Sequence, residues 1–420
     1  MRLITLLFVV CAAAEAQRLT LEEAVATALK ANPRISAEAI GVLAAEQTIL
    51  QARSAYYPTI AANTTGAAAV NESRLAAGAL NNPIIFNRFA FGAAASQLIT
   101  DFGRTANLVE STRLRARSQR ESVQATRAQI VLIVHRAYLA ALRAQGVRKV
   151  AQQTIDSRQV LLDQVTELSR SRLRSMLDVS FAEVNVSEAK LSLVAAQNEY
   201  DSSIAELSAA MGYQGPQQFE LVDVNPLETP PPQVAELMAE ALRTRPEVIA
   251  LRLERDAASS LARAEGKLVL PTISALANAG LAPAHDERLR GRFAAAGVNL
   301  SLPIFNGRLF EARKAEADLR VQAIEQRLKE LENLIAREVT VAVLNAKTAF
   351  ERIELTAQLV KQASLALELA EERYNLGLSS IVELSQAQLN KTAAEIRNTS
   401  ARYDYLTLNS VINFQAGRLR

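Results

Sequence analysis

Residues 339–380 read VTVAVLNAKTAFERIELTAQLVKQASLALELAEERYNLGLSS. Within them Val339, Ala342, Ala346, Ala349, Ile353, Thr356, Val360, Ala363, Leu367, Ala370 and Tyr374 alternate three and four residues apart, the spacing of a heptad seam. The seam lies in a segment, 307–417, that holds no proline and whose only glycines are Gly307, Gly377 and Gly417. These mark a start, a middle and an end, which predicts two very long helices joined near Gly377. About seventy residues of α-helix at ~1.5 Å each reach ~100 Å, deeper than any compact core. Beyond Ser380 the pattern resumes with Ala387, Ala394, Ala401 and Leu408 seven apart, so the second arm folds back along the first. Most seam residues are alanine, which permits close approach but buries little apolar area. Such a hairpin needs neighbours.

The same design stands earlier. Residues 103–212 are free of proline, and Val123, Ile130, Ala137, Ala144 and Ala151 keep the seven-residue spacing, with a turn predicted at 172–177. Gly146 interrupts the first arm at a cost of ~1 kcal/mol relative to alanine, and reads as a local bend. Other segments recur as well. Glu23, Ala28, Leu29 and Pro33 return as Glu236, Ala241, Leu242 and Pro246, and Pro58-Thr59-Ile60 returns as Pro271-Thr272-Ile273, all at a spacing of 213. Leu98, Gly103 and Arg104 return as Leu302, Gly307 and Arg308 at 204, and Tyr200 and Gly212 as Tyr405 and Gly417 at 205. The chain therefore divides into a leader at 1–16, a first structural repeat at 17–212, a proline-rich linker at 213–233 with a short strand at 219–222, and a second repeat at 234–420.

Each repeat reads as short helices, two strands, a long helix, a turn and a long helix back. A capping box, Thr20-Leu21-Glu22-Glu23, opens the first helix, which runs to Lys30; another follows to Arg53. The strands are 58–70, 88–102, 271–281 and 292–304. In the last, Ala294, Ala296, Val298, Leu300 and Leu302 alternate with Ala295, Gly297, Asn299 and Ser301, giving one apolar and one small polar face. Tyr56, Tyr57, Phe89, Phe91, Phe102, Phe293 and Phe305 sit near strand ends. There they read either as a membrane girdle or as packing where strand meets helix.

Composition removes several function classes. Forty-seven basic and 44 acidic residues alternate in sign through the helices for a net charge of +3, so no stripe for nucleic acid forms. After Met1-Arg2, an apolar run to Ala14 and then Ala14-Glu15-Ala16 before Gln17 resemble a secretory signal with an A-x-A cleavage site. The one cysteine, Cys11, lies in that run, so the mature chain is expected to lack disulfides and thiol chemistry. Elsewhere no run of ~20 apolar residues exists, since Ile130 to Val134 stops at His135-Arg136; a mature chain that spans a membrane must use strands. Four strands cannot close a barrel, and each unpaired backbone group at an open edge in lipid costs several kcal/mol. Insertion then requires more than one copy, and three copies would supply twelve strands.

Catalytic chemistry is missing. His135 and His285 are isolated and read as solvated, with no metal or catalytic cluster around them. Ser187-Glu188-Ala189-Lys190 matches S-x-x-K but falls inside a helix without companion motifs, which is a coincidence of spacing. No glycine-rich phosphate loop is present, so neither enzyme activity nor a cofactor is expected. Loop 286–292, with Arg288, Arg290 and Arg292, reads as solvated or as a contact for lipid phosphates.

The leader, the opening Leu19-Thr20-Leu21-Glu22-Glu23-Ala24, the duplicated Pro-Thr-Ile, the heptapeptide LPIFNGR at 302–308 and YNLGLSS at 374–380, taken in order, resemble the TolC-type outer membrane efflux proteins. The resemblance covers essentially the whole mature chain. It implies a mainly α fold in which antiparallel helical hairpins form a periplasmic α-barrel and four strands per protomer enter a 12-stranded trimeric β-barrel in the outer membrane lipid. It also implies a passive exit duct for drugs, metal ions or polypeptides, docked to a periplasmic adaptor and an inner membrane pump or secretion transporter.

Carried over by residue, the resemblance makes the interhelical turns periplasmic tips. Leu376, Gly377, Leu378 and Ser379 match the family's tip pattern for adaptor contact, while Arg172 and Leu173 form the other tip where the expected glycine is missing. Asp178 and Glu383 begin the returning helices. They read as ordinary acids complementing helix dipoles or, by resemblance, as pore acids that attract cations. Tyr374 stands where the family places a tyrosine that can bond across to Asp178; a hydrogen bond to a charged group is worth ~1.5–3 kcal/mol, enough to hold a gate shut. Ser379 replaces an arginine that often helps there, and Gln386 replaces a second pore acid. The rival reading is a soluble periplasmic coiled-coil adaptor or scaffold whose four strands form a small separate domain.

Overall fold

The computed structural model describes residues 17–68, 88–224, 229–284 and 290–419. The leader at 1–16, His285 and most of the 286–292 loop lie outside them. A short strand β1 (Gln17–Leu19) leads into α1 (Leu21–Ala31), α2 (Pro33–Arg53), strands β2 (Thr59–Ala67) and β3 (Arg88–Thr100), and helices α3 (Arg104–Arg170) and α4 (Met176–Ala210). After β4 (Phe219–Leu221) the order returns as α5 (Val234–Thr244), α6 (Pro246–Gly266), β5 (Thr272–Ala284), β6 (Arg292–Ser301), α7 (Leu309–Asn375) and α8 (Ile381–Gln415). Both long hairpins pair an arm of 67 residues with one of 35. Local chemistry sets the ends. The Thr20 side chain accepts from Glu23 N–H and the Glu23 carboxylate answers at Thr20 N–H, 2.9 Å away, closing the expected capping box. Pro33 begins α2, where its missing N–H costs nothing.

Two compact units share the chain, and each draws on both halves of the sequence. The first takes residues up to Ala37, Val123–Val248 and those from Leu331 onward. Here the heptad seam faces inward, with Val339, Ala342, Ala346, Ala349, Ala363, Ala370 and Tyr374 all buried. A second apolar stripe does not: Val341, Leu344, Leu355, Leu359, Leu365 and Leu369 of α7 lie 40–63% exposed. On α4, Phe181, Val184, Leu191 and Val194 are likewise 41–71% exposed.

α3 stays helical through Gly146. A Cβ there would lie 2.6 Å from Thr399 Cγ2 of α8, so the missing side chain serves a close helix approach. Among the described residues, α3 is the one helix with a window long and apolar enough to cross a bilayer, and 56% of that window is buried within the chain, as befits a core helix.

The proline-rich linker is more than a surface connection. β4 pairs in parallel with β1, Gln17 opposite Phe219 and Leu19 opposite Leu221, a pairing that three residues of sequence cannot announce. The Tyr138 hydroxyl lies 2.7 Å from the carbonyl oxygens of Leu19 and Val222. Tyr403 donates to Asp223 at 3.0 Å, and Tyr405 to the Thr229 carbonyl at 2.5 Å. These tyrosines pin the linker to the long helices.

The second unit, Glu38–Ser122 and Ile249–Glu330, holds a four-stranded sheet in the order β2-β3-β5-β6 with every neighbour antiparallel. Thr59 pairs with Ser96, Ala95 with Ala277, and Thr272 with Ser301. The strands begin just past Pro58 and Pro271, which lack the N–H a ladder needs, and β6 stops before Pro303. The expected boundaries move by a few residues: β3 ends at Thr100, two short of Phe102, β5 runs on to Ala284, β6 ends at Ser301, three short of Ile304, and β2 ends at Ala67, with residues 69–70 of the expected strand outside the described residues. All ten residues of β6 are exposed, its apolar face included. Asp101 then starts α3 by accepting from Gly103 N–H at 3.1 Å and Thr105 N–H at 2.7 Å.

Candidate functional site: the paired helix turns

Both long hairpins reverse through the same turn. In the first, Leu173 N–H bonds the Leu168 carbonyl (2.9 Å) and Arg172 N–H bonds Ser169 (2.9 Å); in the second, Leu378 N–H bonds Arg373 (2.8 Å) and Gly377 N–H bonds Tyr374 (3.0 Å). This double closure satisfies carbonyls left over at a helix end and demands a left-handed residue. Gly377 supplies it with φ 74°, and Arg172 supplies it with φ 60°. The first turn therefore keeps the shape of the second without its glycine.

The returning helices start alike. Ser175 caps α4 in a capping box with Asp178, whose carboxylate lies 3.2 Å from Ser175 N–H and 3.0 Å from its hydroxyl. Ser380 caps α8 by accepting from Glu383 N–H at 3.4 Å, and the Glu383 carboxylate pairs with Arg373 at 3.3 Å. Below the turns Leu161, Val165, Val179, Ala370, Tyr374, Ile381 and Leu384 form one apolar cluster drawn from all four long helices. Leu173, Met176, Leu177, Leu376 and Leu378 stay 65–74% exposed on the turns themselves.

Tyr374 and Asp178 are near each other but do not bond. The tyrosine hydroxyl is buried without a hydrogen-bond partner, while Asp178 Oδ2 accepts from Ser175. Burial pushes the Tyr374 phenol up, with the Arg174 guanidinium opposing and the Asp178 carboxylate reinforcing that shift. What does engage Tyr374 is Arg174: its Nη2 donates to the Tyr374 carbonyl, and its guanidinium carbon stands 4.1 Å from the ring centroid. Sequence reading missed Arg174 and Arg373. The only hint was three arginines, Arg170, Arg172 and Arg174, crowded into a turn beside helix C-termini, where cations are favoured. Ser379 is half-buried and its hydroxyl has no partner.

Other candidates separate from this site. His135 is half-buried on α3 with Nδ1 3.1 Å from Ser410 Oγ, and burial lowers its pKa, so it is not the solvated side chain expected. Ser187 spends its hydroxyl on the Glu183 carbonyl of its own helix at 2.9 Å. Among the described residues no group of three or more His, Cys, Asp or Glu side chains converges as metal ligands would.

Twice-written hairpins of 67 and 35 residues, a four-stranded antiparallel sheet feeding the long helices, and matched turns with caps define a TolC-type outer membrane protein. The family model described as outer membrane efflux protein matches residues 24–213 and 237–412, and the chain belongs to that family, which places it in the outer membrane. Outer membrane protein TolC of Escherichia coli (strain K12) is 24% identical over 291 residues, 66% of this chain and 59% of TolC's own length. Outer membrane efflux protein BepC of Brucella suis is 21% identical over 406 residues, 95% of this chain and 86% of that protein. A crystal structure of CusC shares the fold at a TM-score of 0.81 and 18% identity, covering 94% of this chain and 92% of that one.

Proposed function

We propose that three copies of this chain assemble around a common lumen as a passive exit duct. Their twelve strands would form one β-barrel in the outer membrane, and their helices a periplasmic barrel. The observation that carries this reading is the sheet's open edges: among the described residues, β2 and β6 each pair on one side only. Unpaired backbone in lipid costs several kcal/mol per group, and joining copies edge to edge removes that cost. The exposed apolar stripes on α4 and α7 support the same assembly, since a neighbouring copy would cover them. Exposed Tyr56, Tyr57, Phe89, Phe91, Phe102, Phe293 and Phe305 suit the interfacial belts of such a barrel.

In this reading the turns form the periplasmic mouth. Leu173, Leu376 and Leu378, with Arg172, Gly377 and Ser379, offer an exposed apolar surface with polar edges to a periplasmic adaptor, which links the duct to an inner membrane pump or secretion transporter. Asp178 and Glu383 set the charge of the constriction, and Tyr374 belongs to the gate. Cargo is selected by the pump, and the duct performs no chemistry of its own.

The test is extraction and assembly. Membranes from cells making the full chain should release it only with detergent, the solubilised particle should have the mass of a trimer, and it should conduct in planar bilayers. Release as a monomer into aqueous buffer would overturn the duct and favour a soluble periplasmic scaffold.

A further inference from the structure

We propose that Arg174 clasps the two helix turns of each protomer together, and that this clasp has to release before the mouth widens; the inference rests on the channel reading above. Three observations meet at this side chain. Arg174 belongs to the first turn, yet its Nη2 donates to the carbonyl of Tyr374, in the last turn of α7 and 200 positions along the chain. That carbonyl already accepts from Gly377 N–H at 3.0 Å, and it lies at the negative end of a helix dipole, where a second, charged donor is favoured. The guanidinium plane also covers the Tyr374 ring, with the central carbon 4.1 Å from the centroid, and Tyr374 itself is 1% exposed.

The other ties between the hairpins near the turns are neutral, among them Asn185 Nδ2, which donates to Ser385 Oγ at 2.7 Å. The Tyr374 hydroxyl has no partner, and Asp178 is held within its own capping box. Gln164 and Asn375 approach at 3.4 Å, a long contact between neutral amides. Arg170, at the end of α3, pairs with Glu167 of its own helix at 2.5 Å. Among the described residues Arg174 is thus the charged tie between the turns, and any motion that parts them must break its bond to Tyr374 and unstack it from the ring. Lysine would keep the charge but has no planar fork to serve carbonyl and ring together.

The experiment compares the full-length wild type, Arg174→Ala, Arg174→Gln, Arg174→Lys and Arg170→Ala as purified oligomers in planar bilayers, with helical circular dichroism recorded on each. Loss of a charge-assisted hydrogen bond at a closed mouth should raise the open fraction roughly ten- to a hundredfold in Arg174→Ala and Arg174→Gln. Arg174→Lys should fall between these and the wild type, and Arg170→Ala should match the wild type. Should Arg174→Ala lose its helical signal, Arg174→Gln, which keeps more of the side-chain stem, carries the comparison. Open fractions equal to the wild type in a folded Arg174 variant would overturn the clasp and leave the channel standing. A wild type that inserts as an oligomer yet never conducts would overturn the channel reading itself.

Discussion

Arg172 and Gly377 hold the same place in the two turns, with φ of 60° and 74°, and each closes the same bond back to its helix. One position is filled by the residue best suited to left-handed backbone, the other by a residue that pays about 1–2 kcal/mol to adopt it. Arg172→Gly should therefore stabilise the protein by about 1 kcal/mol, and Gly377→Ala should destabilise it by about 1 kcal/mol or more. Apparent melting midpoints of the detergent-solubilised oligomer report both, and opposite signs are required.

Tyr374 buries a hydroxyl that bonds nothing. Tyr374→Phe keeps the ring and removes the unsatisfied group, so it should raise stability by about 1 kcal/mol. Tyr374→Ala empties the apolar cluster beneath the turns and should cost about 3–5 kcal/mol. The same melting series checks this pair; a destabilised phenylalanine variant would mean that the hydroxyl has a partner in the assembly.

His135 carries a pH dependence whose sign follows from its burial. Its folded pKa lies below the ordinary 6.5, so in acid the unfolded chain binds the proton more readily than the folded one. The contribution is fully present above about pH 6.5 and is lost as pH falls below it. His135→Gln should flatten the melting midpoint between about pH 7 and pH 5, a window above the ordinary range of the carboxylates.

At the helix turns, Glu383 is paired with Arg373 and Asp178 with its own cap. In the duct reading, Asp178→Asn combined with Glu383→Gln removes two negative charges per copy and leaves Arg373 unopposed. Reversal potentials under a salt gradient should move toward anion preference, and an unmoved potential would take these acids out of the conduction path.

The long hairpins were legible because they follow from simple rules: no proline, glycines only at the hairpin ends, at one reversal and inside one arm, and a seven-residue seam whose residues from Val339 to Tyr374 are buried or half-buried. The strands were legible from Pro58 and Pro271, which fix two of their starts, whereas the last was read through Pro303 to residue 304 and stops at Ser301. Three features were not. β1 has too few residues to show a period, and its partner β4 is some two hundred positions away. The close approach of Thr399 to Gly146 was not visible either, because sequence does not reveal which helix crosses there. The contact made by Arg174 was overlooked for a related reason: its partner is a backbone carbonyl, which leaves no mark in the sequence, and the bond from Tyr374 to Asp178 that the resemblance implies is not formed within one copy.

The ladder between β3 and β5 joins strands from opposite halves of the chain, Ala95 facing Ala277. A ribosome that has reached only the linker has therefore delivered a two-stranded ribbon that lacks its principal partner. Pairing across so many residues is slow and late, and a ribbon with both margins bare has no stable place in a bilayer. Completion of the chain brings β5 and β6 to the ribbon but still leaves the margins of β2 and β6 bare, so in the duct reading entry into the lipid waits for complete copies to meet edge to edge.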